Sequence, residues 1–226
     1  ASGKTMTYSG SEFGIGSHTF KLSGGGTLNN ANNLILNDPA SLLAISDSTK
    51  ISHLLVSDSN TNGGLTISSS VSSSTGNLVE NLSLSDSFYV SSDVAWAADN
   101  ITADATLTFS SDMDVNIGAL TLTGSADLKL GTENITLSVS GPVTVGDNQT
   151  LQNGGGSFNF IGGLSLETGS ELIGQGQKIY GNIELNGGKI TTEQNTVLTD
   201  NLTQSADSTL QIDPSQTLTY SGAVVD

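Results

Sequence analysis

The chain has no cysteine, no arginine, only 3 prolines in 226 residues, and no long apolar run. Without cysteine there is no disulfide scaffold, no cysteine nucleophile and no thiolate metal site. The apolar runs stay far below the ~18 residues of a membrane-spanning helix, so none is expected. Charge is sparse and one-sided. Charged residues make up 12% of the chain, about half the usual share, and six lysines face 22 acidic residues for a net charge of −16. That balance argues against nucleic acid and anionic membrane surfaces, both of which need a basic footprint. The chain starts at Ala1 without a signal peptide, which predicts either a mature protein or a segment of a longer one.

Serine, threonine, asparagine and 27 glycines fill the space that charge leaves. These are poor helix formers, and almost no stretch of ten residues escapes several of them. Disorder is equally disfavoured, because Leu, Ile, Val and Phe recur at regular intervals. The recurring unit is apolar–polar–apolar, as in Leu82-Ser-Leu84, Leu120-Thr-Leu122, Leu164-Ser-Leu166 and Ile183-Glu-Leu185. Period-two alternation marks short strands buried on one face. Gly-Gly, Asp-Asn and Asn-Gly pairs between them signal turns.

The period decides the architecture. Apolar residues opening each unit fall at Leu65, Leu82, Ile101, Leu120, Val143, Leu164, Ile183 and Leu202, in steps of 17, 19, 19, 23, 21, 19 and 19. A second row follows at Phe88, Leu107, Leu128, Leu151, Leu172, Ile190 and Leu210. A third follows at Trp96, Val115, Ile135, Phe158, Ile179, Val197 and Leu218. Tandem immunoglobulin-like modules repeat near ~100 residues and do not fit. The predicted fold is all-β: a right-handed parallel β-helix, or β-solenoid, with coils of about 19–23 residues and three strand faces per coil. One domain is expected over 1–226, with less regular coils in 1–64 and regular ones in 65–226. About ten coils at ~4.8 Å each would make a rod of about 50 Å.

A ladder of Asn81, Asn100, Ala119, Pro142, Gly163, Asn182 and Asn201 precedes the opening positions. Asn and Gly there predict corners at positive φ, with side chains bonding from coil to coil. Pro142 cannot take positive φ, and bulged turns are expected around it. Thr5-Met-Thr-Tyr-Ser-Gly10 returns as Thr217-Leu-Thr-Tyr-Ser-Gly222, five identities in six. The recurrence has two readings, a common strand type in a narrow alphabet or a segment of a tandem array. Val224-Val-Asp226 reads as an interrupted strand rather than a polar cap, so a segment of a longer rod is expected.

Asp58, Asn60, Asn62, Gly63 and Leu65 match the front half of a calcium loop, yet the twelfth position is Ser69 instead of glutamate. Calcium there would need a distant carboxylate such as Glu80; the alternative is an Asx/Gly-rich turn. Asp112 and Asp114 share one face of a strand, and paired carboxylates can hydrolyse glycosides. With no arginine and no lysine nearer in sequence than Lys129, a solvated acidic face is the better reading. His18 and His53 read as loop residues. Thr5/Thr7, Thr121/Thr123 and Thr217/Thr219 do not extend into the flat threonine array that ice binding would need. The sequons at Asn81, Asn100, Asn134, Asn148 and Asn201 follow from Asn corners beside Thr-rich strands. Phe88, Trp96, Phe109, Phe158 and Phe160 read as core, and Tyr8, Tyr89 and Tyr180 as the exposed aromatics. No catalytic, metal or cofactor-binding residue is assigned, and no cofactor.

Coils of this length with Leu-x-Leu strands, Gly/Asn corners, abundant Ser and Thr and no cysteine resemble the β-helical exoproteins of bacteria. Filamentous haemagglutinins and autotransporter passengers are the nearest group, and the likeness is best over 65–226. The resemblance implies an extracellular or cell-surface rod presenting binding loops to a host-cell protein, matrix protein or surface glycan. Absence of cysteine agrees with a chain that crosses an outer membrane before folding. The expected role is a non-catalytic structural and adhesive segment. Kept beside it are a carbohydrate-active enzyme using Asp112 and Asp114, a carbohydrate- or calcium-binding module, and a phage tail-fibre-like segment.

Overall fold

A computed structural model describes residues 5–8, 13–14, 16–22, 27–30, 34–36, 42–45, 50–56, 60–67, 79–84, 88–92, 96–110, 114–131, 134–222 and 224–225. Among them there is no helix. Every named strand pair is parallel, and the strands stack in three sheets of 13, 10 and 5 strands as a β-solenoid. The fold is therefore all-β and parallel, as the period predicts.

The 10-stranded sheet reproduces the second apolar row residue by residue. Phe88 pairs with Leu107, Leu107 with Leu128, Leu128 with Leu151, Leu151 with Leu172, Leu172 with Ile190, and Ile190 with Leu210. Leu107, Leu128, Leu151, Leu172 and Ile190 are fully buried. Polar residues between them face out, and this alternation fixes the register, because a slip by one residue would turn every leucine to solvent. Leu65 belongs to this sheet as well, pairing with Leu43 and Val90, and so does not open the first row.

The first and third rows need correcting. Leu82, Ile101 and Leu120 pair in sequence, but they lie on the same long strands as the third row: Trp96–Ala103 holds both Trp96 and Ile101, and Asp114–Leu122 holds both Val115 and Leu120. One coil later the long strand divides into Thr136–Val139 and Val143–Val145. Pro142 sits at the division, where it can neither donate to a ladder nor adopt an extended φ freely. The 5-stranded sheet starts there and continues through Leu164, Ile183, Leu202 and Val224. The long step across Pro142 is thus a change of sheet, where bulged turns were expected.

In the third row, Val115 pairs with Leu137 rather than Ile135. Ile179 pairs with Leu198, and Leu198 with Tyr220, so Val197 and Leu218 are each out of the expected place. Thr196 and Leu198 are buried while Val197 is partly exposed. A threonine can stand inward because its Oγ1 donates to the Gln194 carbonyl at 2.9 Å. The core itself is a column of Leu, Ile, Val and Phe, with Phe109, Phe158 and Phe160 wholly buried and the last two rings 5.3 Å apart.

The corners also differ from expectation. Asn100 Nδ2 does donate to Asn81 Oδ1 at 3.1 Å, but this contact is exposed and Asn100 lies within a strand. Positive φ is found at Gly163 and Gly181 and not at Asn182 or Asn201. Gly181 takes the sharp turn at φ +108°, and its N–H donates to Asp200 Oδ2 in the next coil at 2.7 Å. Asn182 and Asn201 contribute their carbonyls, which accept from Leu164 and Ile183 N–H at 2.9 and 2.8 Å. Close approach of coils is a second demand on glycine. A Cβ on Gly154 would fall 1.6 Å from the Leu130 carbonyl oxygen.

Asn153 is wholly buried at a corner between sheets. Its Nδ2 donates to the Gly176 carbonyl at 2.7 Å, and its Oδ1 accepts from Gln175 N–H at 2.6 Å. It satisfies a donor and an acceptor that the turn of the next coil cannot pair by itself. Asn153→Ala is expected to cost about 1–3 kcal/mol for each buried group left unpaired, read as a lower urea midpoint. Leu166, with no exposed surface, lies in a coil whose neighbours cannot collapse into a hole. Leu166→Ala should cost about 2–5 kcal/mol, and Ser165→Ala in the same strand, which gives up only one partly solvated hydrogen bond to Glu167, should cost about 0.5–1.5 kcal/mol. A reversed order of the two midpoints would refute the register.

Candidate functional site

The outward face of the 5-stranded sheet holds the densest polar arrangement described. In the strands Val143–Val145, Leu164–Glu167, Ile183–Asn186 and Leu202–Gln204, the alternate residues turned away from the core form a row of Thr144, Ser165, Glu184 and Thr203. Two residues further along the strands stand Glu167 and Asn186, paired in register. The sheet places these groups because Leu164, Leu166, Ile183 and Leu185 point the opposite way, into the core.

Glu167 is held on both oxygens. Ser165 Oγ donates to Oε1 at 2.7 Å and Asn186 Nδ2 donates to Oε2 at 2.6 Å. Ser205 Oγ lies 3.2 Å from Glu184 Oε1 and 3.3 Å from Asn186 Oδ1. One hydroxyl proton can serve only one of these acceptors at a time. The result is a surface on which Ser165, Glu167, Glu184, Asn186 and Ser205 are each anchored by a neighbour in their own or an adjoining coil. It presents hydrogen-bond acceptors and donors at a spacing fixed by the strand ladder.

A second polar row lies on the 10-stranded sheet. Asp127, Thr150, Glu171, Lys189 and Thr209 stack in register. Lys189 Nζ is 2.9 Å from Glu171 Oε1, and Thr191 Oγ1 donates to the same carboxylate. Burial pushes the Glu171 carboxyl up, but the Thr191 hydrogen bond and the Lys189 ammonium together outweigh it and hold the group below the usual glutamate range. Lys129 is likewise next to a carboxylate, 3.5 Å from Asp127. Where the long strand divides, a groove of ≈ 330 Å³ is lined by Leu120, Thr121, Pro142, Thr144 and Gln149, with no ionisable side chain.

The residues singled out in the sequence are not brought together. Asp114 is exposed at the start of Asp114–Leu122, with Thr136 beside it in register; Asp112 lies outside the described residues. Asp58 and Ser69 also lie outside them. Asn60 and Asn62 lie in Asn60–Ile67, where the ladder is interrupted: Asn60 pairs with Phe88 and Leu65 with Val90, which leaves residues 61–64 bulged out of register. His18 is exposed, and His53 lies in the strand Lys50–Val56. Among the described residues no three His, Asp or Glu side chains gather as a metal centre. Tyr180 is partly buried rather than exposed.

Glu167, Glu184 and Asn186 form no motif in the sequence. Their signal is the outward position of consecutive Leu-x-Leu units. Asn153 and Gln149 gave none, since a buried polar residue in a Gly-rich turn looks like a solvated one. Gln149 is buried with its Oε1 accepting from Gly146 N–H at 2.7 Å. No family model, no curated protein and no solved structure matches this chain.

The Glu171–Lys189 pair has a pH signature. A carboxyl held low in the folded state contributes stability above its unfolded pKa, and that contribution is lost as pH falls below about 4.3. Both side chains are partly solvated, so the whole effect is at most about 1 kcal/mol and shrinks with salt. Lys189→Met should therefore be slightly less stable than the parent at pH 7 and lose this difference in acid. Thermal midpoints of the two chains across pH provide the check, and a difference that grew in acid would contradict the assignment.

Proposed function

We propose that this chain is a non-catalytic structural and adhesive segment of a bacterial cell-surface or secreted protein, a rod that presents a rigid polar face to a host-cell protein, matrix protein or surface glycan. The observation that carries the reading is the outward row Thr144, Ser165, Glu184 and Thr203 with Glu167 and Asn186, in which intramolecular bonds hold Ser165, Glu167, Glu184 and Asn186 ready. A surface ordered in advance loses less rotamer entropy on binding than free side chains do. Both Glu167 oxygens are occupied by donors from the protein, which suits a fixed acceptor better than a proton-transfer group. The groove at the strand division offers apolar and hydroxyl contacts and no acid or base.

The test is a binding screen against immobilised glycans and matrix proteins, with reducing-end release from polysaccharides measured in parallel. Saturable binding is expected for the parent chain, weakened by Glu184→Lys, which reverses one charge on the face without touching the core. Release of reducing ends that disappears in Asp112→Asn or Asp114→Asn would replace this reading with that of a carbohydrate-active enzyme.

A further inference from the structure

The three sheets turn outward rows of different character. The 10-stranded sheet presents Asp127, Glu171 and Lys189, and the 5-stranded sheet presents Glu167 and Glu184. The 13-stranded sheet carries an uncharged row instead. Leu137, Val139, Phe158, Phe160 and Ile179 point into the core, so the residues between them point out. Asn116, Ser138, Asn159 and Tyr180 therefore stack in register on four successive coils. Asn159 Nδ2 donates to Ser138 Oγ at 3.4 Å, which leaves Asn159 Oδ1 as an acceptor. Among the described residues neither the Asn116 amide nor the Tyr180 hydroxyl has a protein partner. Tyr180 is thus a partly buried ring with an unused polar tip, a form suited to contact with an amphipathic ligand.

Lys178 stands beside this row, two residues before Tyr180 on the same face, and is exposed. Lys129 and Lys189 each lie next to a carboxylate, whereas Lys178 pairs with none among the described residues. The row that contains it runs through Asp114, Thr136 and Ser157, with Lys178 one coil further because Phe158 pairs with Ile179. Asp114 is thus three coils away, about 14 Å at ~4.8 Å per coil, beyond the ~8 Å over which exposed charges are felt in physiological salt. In the next coil, Asp200 Oδ2 is engaged by Gly181 N–H at 2.7 Å and by Thr199 Oγ1 at 2.9 Å. An ammonium without a counter-ion, an aromatic ring and a line of amides and hydroxyls together define the ligand. The ring suits the apolar face of a sugar, the amides and hydroxyl suit its hydroxyl groups, and the ammonium suits a carboxylate.

We propose that the outward face of the 13-stranded sheet binds an acidic saccharide, a glycan whose sugar carries a carboxylate. The carboxylate pairs with Lys178, a sugar ring lies on Tyr180, and hydroxyl groups meet Asn159 and Ser138. The row runs along the solenoid axis with one polar group every ~4.8 Å, a spacing that serves an extended chain. The same ligand would meet Glu171 on the 10-stranded sheet and Glu167 and Glu184 on the 5-stranded sheet, where like charge repels it. The site is separate from the face of the 5-stranded sheet and does not rest on the adhesive reading of that face.

Calorimetry of the full chain with oligogalacturonate, a hyaluronate oligosaccharide and a sialylated oligosaccharide, each beside its methyl ester, tests it. The expected result is saturable binding of at least one acid, about tenfold or more tighter than its ester, the scale of 1.4 kcal/mol. Lys178→Met should abolish that preference and leave binding of the ester unchanged. Asn159→Asp keeps the shape of the side chain and sets a carboxylate in the row, so it should weaken the acid by about tenfold and spare the ester. Ester binding serves as the control for folding in both variants. Glu184→Lys, on the other face, should not weaken binding. No binding to any of the three acids, equal affinity for acid and ester, or a preference that survives Lys178→Met would each overturn the proposal. Loss of binding in Glu184→Lys would also overturn it, by moving the ligand to the 5-stranded sheet.

Discussion

Everything in this molecule depends on one constraint: each coil must return the backbone to hydrogen-bonding distance of the previous coil with the same residues facing inward. Parallel strands pair at about 4.8 Å, and along the 10-stranded sheet the inward apolar residue of each coil meets its counterpart from Phe88 to Leu210. The core is consequently a column with no centre. Each layer is stabilised by the two that flank it, as in other repeat proteins. A hole in one layer is shared by its neighbours.

Period-two alternation and a period near 20 made the fold class legible, because both follow directly from burial. Where Leu-x-Leu units were flanked by clear turns, the register could be read to the residue. It failed where two apolar residues compete for one place. Ile135 and Leu137 are both wholly buried, and only the ladder reveals that Leu137 is the partner of Val115. Val197 and Leu198 are adjacent, and the inward choice is decided by Thr196, whose hydroxyl is satisfied locally and can therefore enter the core. The split at Pro142 was visible as a broken ladder, but a missing donor announces a strand end without saying that a new sheet starts beyond it.

The candidate site was less legible for a related reason. Sequence patterns report burial, and outward residues on a solenoid are free to vary without disturbing it. Glu167 and Asn186 meet because successive coils stack, so their contact spans 19 residues of chain and leaves no local motif. Buried polar residues such as Asn153 are concealed in the opposite way. Their partners are backbone groups of Gln175 and Gly176, and a backbone group has no sequence signature.

Stacking also explains how so acidic a chain tolerates its own charge. In-register coils bring equivalent side chains to within about 5 Å, where two like charges near water repel by about 1 kcal/mol, and more where solvent is excluded. The outward rows answer this by composition. Asp127 is followed by Thr150, Glu171 by Lys189, and Lys189 by Thr209, while Glu184 stands between Ser165 and Thr203. Neither row sets two carboxylates on consecutive coils. Hydroxyl residues thus do two things at once: they separate the charges and, as Ser165 and Ser205 show, donate to the carboxylates beside them. The Ser- and Thr-rich composition that first looked like a mere absence of charge is what permits a net charge of −16 on a stack of parallel coils.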